Sequence, residues 1–321
     1  MSHVVGIGTP AVDYFLQTDI SFLEKINVKP EDDLLLSDIK LSLKDITSRL
    51  RLIAKSPGGI TINTLAVLSK LKIKTAFLGT VGKDRQGGYL LNLLKDVDTT
   101  KVVRRGKTSN CFCLLTKSGR ERTFLSTVNI HENEFFNNID LNYLNSATFI
   151  HISPLITDRQ EGINKTVKLV SKIEGPKISF SPGFFYASLG LRKLAPILKR
   201  TYILFINRRE LKILIGGDPK IAIKKLLKLG PQIIVLTLSE EGSQILTKNK
   251  NFRVKASVVK KILDTTGAGD TYAAGFLYGL LKNKSLEWSA KFASQLAAQS
   301  LSDYGINSLN NDLHNKSCLQ K

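Results

Sequence analysis

Cysteine, histidine, tryptophan and methionine are all scarce: 321 residues contain three Cys, four His, one Trp and one Met. Cys111 and Cys113 alternate with Phe112 and Leu114 in a strand-like run, which points both thiols to one face and argues against a disulfide between them. Cys318 lies apart, in a polar tail. There is no CxxC pair, and His3, His131, His151 and His314 show no metal-ligand spacing, so a structural zinc site is not expected. Such sparing use of cysteine suits a reduced, cytoplasmic protein. No apolar run approaches the roughly 18 residues that span a bilayer. The short apolar stretch Met1–Val12 lacks a basic leader, so no signal peptide is expected.

Acidic residues are also under-represented. Lys and Arg number 47 against 27 Asp and Glu, a formal charge of +20. That excess suits an anionic partner such as a nucleotide, a phosphorylated product or nucleic acid. The lysines, however, decorate helix faces. In Pro219–Gly230, Lys220, Lys224, Lys225 and Lys228 alternate with Ile221, Ile223, Leu226 and Leu227, the pattern of an amphipathic surface helix. No helix-turn-helix, zinc or RNA-binding signature accompanies the charge, and aromatics do not interleave with a basic run. A nucleic-acid-binding protein or a non-catalytic sensor is therefore the weaker reading.

Apolar runs at Val4–Gly8, Thr75–Val81, Thr148–Ile152, Lys177–Ser181, Tyr202–Ile206 and Gln232–Thr237 alternate with helical-period segments, such as Ile163, Val167 and Val170 within Asp158–Lys172. This alternation predicts an α/β fold: a mostly parallel sheet with helices on both faces and ligands beyond the carboxyl ends of the strands. Trp288, Phe292 and Leu296 recur on one helical face as core. Two stretches break the rhythm. Tyr14–Ser42 reads as two short strands around an acidic turn, and Lys101–Ser126 as three strands with a hairpin turn at Lys117-Ser118-Gly119. Neither has room for a crossover helix. Residues 1–13, 45–100 and 127–321 are thus assigned to a nucleotide- and substrate-binding core, and 14–44 and 101–126 to a β-lid. The tail from Leu309 is polar and expected to be poorly ordered.

The densest chemical signal is Asp264-Thr265-Thr266-Gly267-Ala268-Gly269-Asp270, opening a helix of small residues. Gly267, Ala268 and Gly269 leave backbone N–H groups unblocked at a helix N-terminus, where the dipole favours a phosphoryl group. Asp270 stands beside them as the base for an attacking hydroxyl. Its place at a helix N-terminus predicts a low pKa, which phosphoryl transfer tolerates because its transition state is loose. Upstream, Gly58 and Gly59 make a tight turn into a helix, with Asn63 offering an amide. Asp13 can accept two hydrogen bonds from a diol. Asn207 and Glu210 follow a buried strand, three residues apart, suited to orienting water around Mg²⁺ on nucleotide phosphates.

The segment Asp264–Phe276 resembles the C-terminal signature of the phosphofructokinase-B (PfkB) carbohydrate-kinase family, the ribokinase-like kinases. Pro57–Thr64 resembles the N-terminal signature, with Gly79 and Val81-Gly82-Lys83-Asp84 following. Gly6-Ile7-Gly8…Asp13 resembles the first strand, Asn207-Arg208-Arg209-Glu210 the NxxE element, and Gly119-Arg120-Glu121-Arg122-Thr123 the lid hairpin. The resemblance implies a three-layer α/β/α Rossmann-like sandwich with a small β-sheet lid, ATP and Mg²⁺. It implies ATP contacts at Asn207, Glu210, Thr237, Ser239, Gly242, Thr265, Gly267, Gly269 and Ser294, and acceptor contacts at Asp13, Gly58, Gly59, Asn63, Asn129 and Glu132. Relatives usually carry Gly where Ser239 stands, and Asn or His where Ser294 stands. It further implies a potassium site at Asp264, Thr266, Ser300, Asp303 and Gly305, mostly through carbonyl oxygens. The expected acceptor is a sugar, with a nucleoside as the alternative. Kinases of hydroxymethyl-pyrimidines or pyridoxal share the fold but typically lack the lid. The expected assembly is a monomer or a lid-mediated homodimer.

Overall fold

The computed structural model describes residues 3–39, 46, 49–116, 122–156, 159–259 and 261–310. The expected turn at Lys117–Gly119, the residues Gly119–Glu121 and the tail carrying His314 and Cys318 lie outside the described residues.

The main sheet has eight strands. In spatial order they are Asn251–Val254, Ser243–Leu246, Ile233–Thr237, Thr201–Asn207, Lys177–Phe180, Phe149–Ile152, Val4–Ile7 and Thr75–Leu78. Every neighbouring pair from Ile233–Thr237 to Thr75–Leu78 is parallel. The two remaining strands add antiparallel at one edge. The six runs read as strands from apolar content are these parallel strands, except that Thr75–Val81 breaks at Gly79 into Thr75–Leu78 and Thr80–Val81. Successive residues of Val4–Ile7 feed opposite cores. Val4 packs with Ile62, Leu65, Phe276 and Ala293 on one face, and Val5 with Leu144, Ile163, Leu194 and Leu226 on the other. A sheet buried on both faces needs such continuous apolar runs.

Glycine sets the spacing of the helical layer nearest the site. A Cβ on Gly6 would strike Thr61 and Leu65, and one on Gly279 would strike Ser289. The helix Ile60–Lys70 therefore lies directly on the first strand, and Ala268–Leu281 directly on Leu286–Ser300. Trp288 stacks on Phe292 at 5.0 Å within the same core. In the helix Pro219–Leu229 the four lysines are exposed and Ala222, Ile223 and Leu226 are buried, while Ile221 faces solvent at 66% exposure, outside the apolar face expected for it. Among the described residues no helix is long and apolar enough to cross a membrane.

A second, five-stranded sheet runs in the order Asp33–Leu35, Arg122–Thr127, Ser109–Thr116, Ala11–Thr18 and Arg51–Gly58. Leu16, Phe112, Leu114 and Leu125 on its outer face pack against Leu23, Leu36 and Ile46. Two assignments change here. Arg51–Gly58, placed in the core by its position in 45–100, pairs antiparallel with Ala11–Thr18 and belongs to the smaller sheet. Its exposed first half, where Arg51 and Lys55 bracket only the short apolar stretch Leu52, Ile53 and Ala54, hid the strand from an apolar-run reading. Val103–Arg104, read as part of the lid, instead pairs with Thr80–Val81.

Replacing Gly6 with Ala is expected to destabilise the protein by about 1–3 kcal/mol through overpacking against Thr61 and Leu65. The urea unfolding midpoint with unchanged slope measures it.

Candidate active site

From the strand Val4–Ile7 the chain runs to Thr75–Leu78 on one side, and Phe149–Ile152 pairs on the other. The loops leaving these two neighbours diverge at their carboxyl ends, which opens a crevice there. Thr9 donates its N–H to the carbonyl of Pro154, and Ser153 donates to that of Ile7, fixing the crevice floor at 3.0 and 2.9 Å. Two residues further on, the chain enters the smaller sheet at Ala11, so that sheet hangs over the crevice.

Gly59 closes the turn from Arg51–Gly58 into Ile60–Lys70 with φ of +96°, and a Cβ there would strike the Thr9 carbonyl oxygen. That turn sends Asn63 towards the second glycine loop. Its Nδ2 donates to Asp270 Oδ2 at 2.8 Å, while its buried Oδ1 has no partner among the described residues. Thr64 Oγ1 donates to the Asp270 carbonyl at 3.3 Å. Gly267, at φ of +77°, caps the helix Ala268–Leu281 without a side-chain bond. The structure thus brings Asn63, Gly267, Ala268, Gly269 and Asp270 to one place, at an N-terminus whose first N–H groups have no intrahelical acceptor.

Asp13 is 4% exposed and no described residue donates a hydrogen bond to its carboxylate. Its carboxylate lies over Gly58, where a Cβ would collide with it. Burial first, then the charges of Asp270 and Asp264, push its pKa well above the carboxylate range. Asp270 departs from expectation. Burial raises it to about 7, against a smaller lowering by the Asn63 amide. The helix N-terminus was expected to hold it low; desolvation in the crevice outweighs that.

Asp264 is buried and committed to protein donors: Oδ1 accepts from Thr266 Oγ1 and Oδ2 from the Gly305 N–H, both at 2.9 Å. It thereby joins the glycine loop to the segment 300–305. There Ser300 accepts from Ser308 at its carbonyl, and Asp303 caps the N–H of Tyr304. Arg122, one residue beyond the undescribed hairpin tip, reaches across from the smaller sheet to Asp264 at 3.7 Å and Thr266 at 3.4 Å. It had been read only as part of a hairpin; its contact depends on sheet placement, which local sequence does not encode.

Asn207 and Glu210 form a reciprocal capping box on the helix Arg208–Leu214. Asn207 Oδ1 accepts the Glu210 N–H at 2.8 Å, and Glu210 Oε2 accepts the Asn207 N–H at 3.1 Å. Burial lifts Glu210 to about 7, the Asn207 N–H opposing it, with the charges of Asp270 and Asp33 adding to the rise. The same charge coupling ties the NxxE element to Asp270. Arg209 binds Asp33 of the smaller sheet at 3.3 Å and lies 4.9 Å over the Phe184 ring. Asp33 is raised to about 6 by burial, with Arg209 and Arg122 opposing. Sequence reading had not singled out Arg209 or Asp33; their meeting spans 176 positions.

Thr237 ends its strand, and Ser239 opens the following turn at φ of +55°, with Gly242 at +92°. The left-handed φ explains why glycine suits position 239. Thr265 accepts the Ala268 N–H at its carbonyl. Ser294 Oγ accepts from the Ser257 N–H at 3.0 Å, which fixes the segment after Val254. Asn129 and Glu132 are buried in loop bracing instead of standing free. Asn129 donates to the Arg105 carbonyl and accepts from the His131 N–H, and Glu132 accepts the Ile156 N–H.

A doubly wound α/β sandwich whose second sheet overhangs a glycine-rich helix N-terminus defines the ribokinase-like class of small-molecule kinases. Residues 33–312 match the family model described as pfkB family carbohydrate kinase, and the chain belongs to that family of ATP-using phosphotransferases. An uncharacterized sugar kinase of Archaeoglobus fulgidus is 32% identical over 242 residues, covering 74% of this chain and 95% of the relative. Among solved structures, adenosine kinase from Sinorhizobium meliloti superposes with a TM-score of 0.84 at 24% identity, covering 95% of both chains. A proposed ribokinase II of E. coli in complex with ATP and Mg²⁺ gives 0.73 at 19% identity, covering 95% of this chain and 94% of its own.

The raised pKa of Asp270 fixes a sign. Its folded value of about 7 exceeds the unfolded 3.8, so its neutral form favours folding below the lower value and this contribution is lost as pH rises through about 7. Asp270→Asn is therefore expected to be more stable than the parent at pH 8, with the gap closing on acidification; thermal melts of both across pH check it.

Proposed function

We propose that this chain transfers the γ-phosphate of ATP to a hydroxyl of a sugar. The observation that carries this reading is the contact of Asn63 with Asp270, which unites the two glycine turns around one carboxylate. On this reading the N–H groups at the Gly267–Gly269 helix start, Gly267 and Gly269 foremost since that of Ala268 is shared with the Thr265 carbonyl, take the charge that develops on the transferred phosphoryl group. Arg122 adds a positive charge from the smaller sheet, next to Thr266. Asp270, held near the middle of the pH range by burial, takes the proton of the attacking hydroxyl. The smaller sheet lids the crevice and excludes water.

Acceptor hydroxyls bind Asp13, with Gly58 and Gly59 allowing close approach of the backbone. The strand registers align Ser56, Asp13, Cys111 and Ser126 in one row across the inner face of the smaller sheet. That row is small and polar and suits the hydroxyls of a sugar, while the next row on the same face carries Phe15 and Phe124. Asn129 and Glu132 shape the pocket wall through the loops they brace. Mg²⁺ fits the NxxE element: Glu210 Oε1 stays free of the capping box, and a carboxylate oxygen acting through water is a normal donor to this ion. When bound, Mg²⁺ would neutralise charge on the nucleotide phosphates. Potassium would take the carbonyl oxygens around Asp264–Thr266 and Ser300–Gly305, since both carboxylate oxygens of Asp264 are already committed.

ADP release is measured with Mg·ATP against ribose, fructose, adenosine, guanosine, cytidine and inositol, in potassium and in sodium. Turnover confined to a sugar is expected; turnover confined to a nucleoside reverses the acceptor assignment. Asp270→Asn should lose about 10²–10⁴-fold in kcat with near-normal ATP affinity, whereas a parallel collapse of ATP binding would assign Asp270 a structural role. For the parent enzyme, kcat/KM for the acceptor should rise with pH through about 7 as Asp270 ionises.

A further inference from the structure

Cys111 and Cys113 belong to the strand Ser109–Thr116, which pairs in parallel with Ala11–Thr18 so that Cys111 stands beside Asp13 and Cys113 beside Phe15. Side chains alternate along a strand, so the two thiols and the Asp13 carboxylate share the inner face of the smaller sheet. The two sulfurs are 4.0 Å apart. One oxygen of Asp13 and the two sulfurs all lie within 4.8 Å of one another. Asp13 and Cys113 are buried, and Cys111 is half-buried.

We propose that Asp13, Cys111 and Cys113 form a three-ligand site for a thiophilic divalent cation of the Zn²⁺ or Cd²⁺ type, and that the bound ion blocks the acceptor. Zn–S bonds of about 2.3 Å in a tetrahedron place two sulfurs about 3.8 Å apart. The observed spacing is close to that value before any metal arrives. Thiolates select zinc-like ions over Mg²⁺, so the ion that accompanies ATP does not compete for this site. Asp264 and Asp270 act electrostatically on Asp13, and their charge adds to the attraction for a dication. Binding displaces the two thiol protons, and any proton held by the Asp13 carboxyl, into solvent, with no change of oxidation state. A disulfide is the poorer use of this pair. Residues i and i+2 of a strand lie about 6.6 Å apart with parallel Cβ directions, the outer limit of disulfide geometry. A metal bridges such a pair without bending the strand.

Three protein ligands leave one position open, as sites that exchange a water or substrate oxygen do. The block follows from Asp13 holding acceptor hydroxyls, and so rests on the function proposed above; the metal site itself does not. Cd²⁺ is titrated into the reduced Cys318→Ser protein while the thiolate-to-cadmium charge-transfer band is followed in the ultraviolet. One Cd²⁺ per chain is expected. The band should weaken in Cys111→Ala, and affinity should fall at least about tenfold in Asp13→Asn. A missing band in the Cys318→Ser protein, or an affinity unmoved by Asp13→Asn, overturns the site. In steady-state assays at saturating Mg·ATP, Cd²⁺ should raise KM for the acceptor and leave kcat unchanged; a lowered kcat with unchanged KM overturns the block. If no acceptor turns over, the functional reading fails while the cadmium titration still decides the site.

Discussion

Crowded negative charge governs this crevice. Asp13, Asp270 and Glu210 are each raised chiefly by burial; the charge of Asp270 adds to the rise of both Asp13 and Glu210, with Asp264 contributing at Asp13 and Asp33 at Glu210. Desolvated carboxylates that face one another are costly unless protons, cations or donors relieve them. Two guanidiniums stand at the margin of the crevice: Arg122 of the smaller sheet meets Asp264, and Arg209 of the helix Arg208–Leu214 meets Asp33 and opposes the rise at Glu210. Each of these pairs joins the smaller sheet to the main body. The same charges that shape the site therefore also tether its cover.

The glycines serve this arrangement at a few exact positions. Gly6 lets the helix bearing Asn63 settle on the first strand, and Gly59 turns the chain sharply enough to aim that helix at Asp270. Gly267 takes the left-handed conformation that starts the second helix. Their combined effect is a single hydrogen bond, Asn63 to Asp270, between residues 207 positions apart. Ser239 adopts a left-handed conformation that glycine would adopt at lower cost.

Much of this was legible in the sequence because it is local. The parallel strands announced themselves as apolar runs since a sheet covered on both faces needs them. The run Asp264–Asp270 carried its chemistry in consecutive residues, and the helix it opens was visible in the small residues that follow. What could not be read depended on pairing. Arg51–Gly58, with its exposed first half, was assigned to the core within 45–100, and only its pairing with Ala11–Thr18 places it in the smaller sheet. Arg122 stood only within the lid hairpin and Arg209 only within the NxxE element, and the helix N-terminus suggested a low pKa for Asp270 because burial is a tertiary property. Asp13 and Cys111 are 98 positions apart in sequence and adjacent in the sheet.

The smaller sheet is attached in a way that distributes motion unevenly. Thr9 and Pro10 carry the chain into it at Ala11, and Gly59 is the sole residue between its last strand and the helix Ile60–Lys70. These joints sit side by side, since a Cβ on Gly59 would touch Thr9 and Pro10. They form a pivot. Asp13 lies close to that axis, whereas Asp33 and Arg122 lie on strands at the far side of the sheet. A rigid swing about the pivot scarcely displaces Asp13 but carries Asp33 and Arg122 through a long arc. On the function proposed above, the acceptor end would then keep its geometry while only the phosphate end would register the angle of the flap.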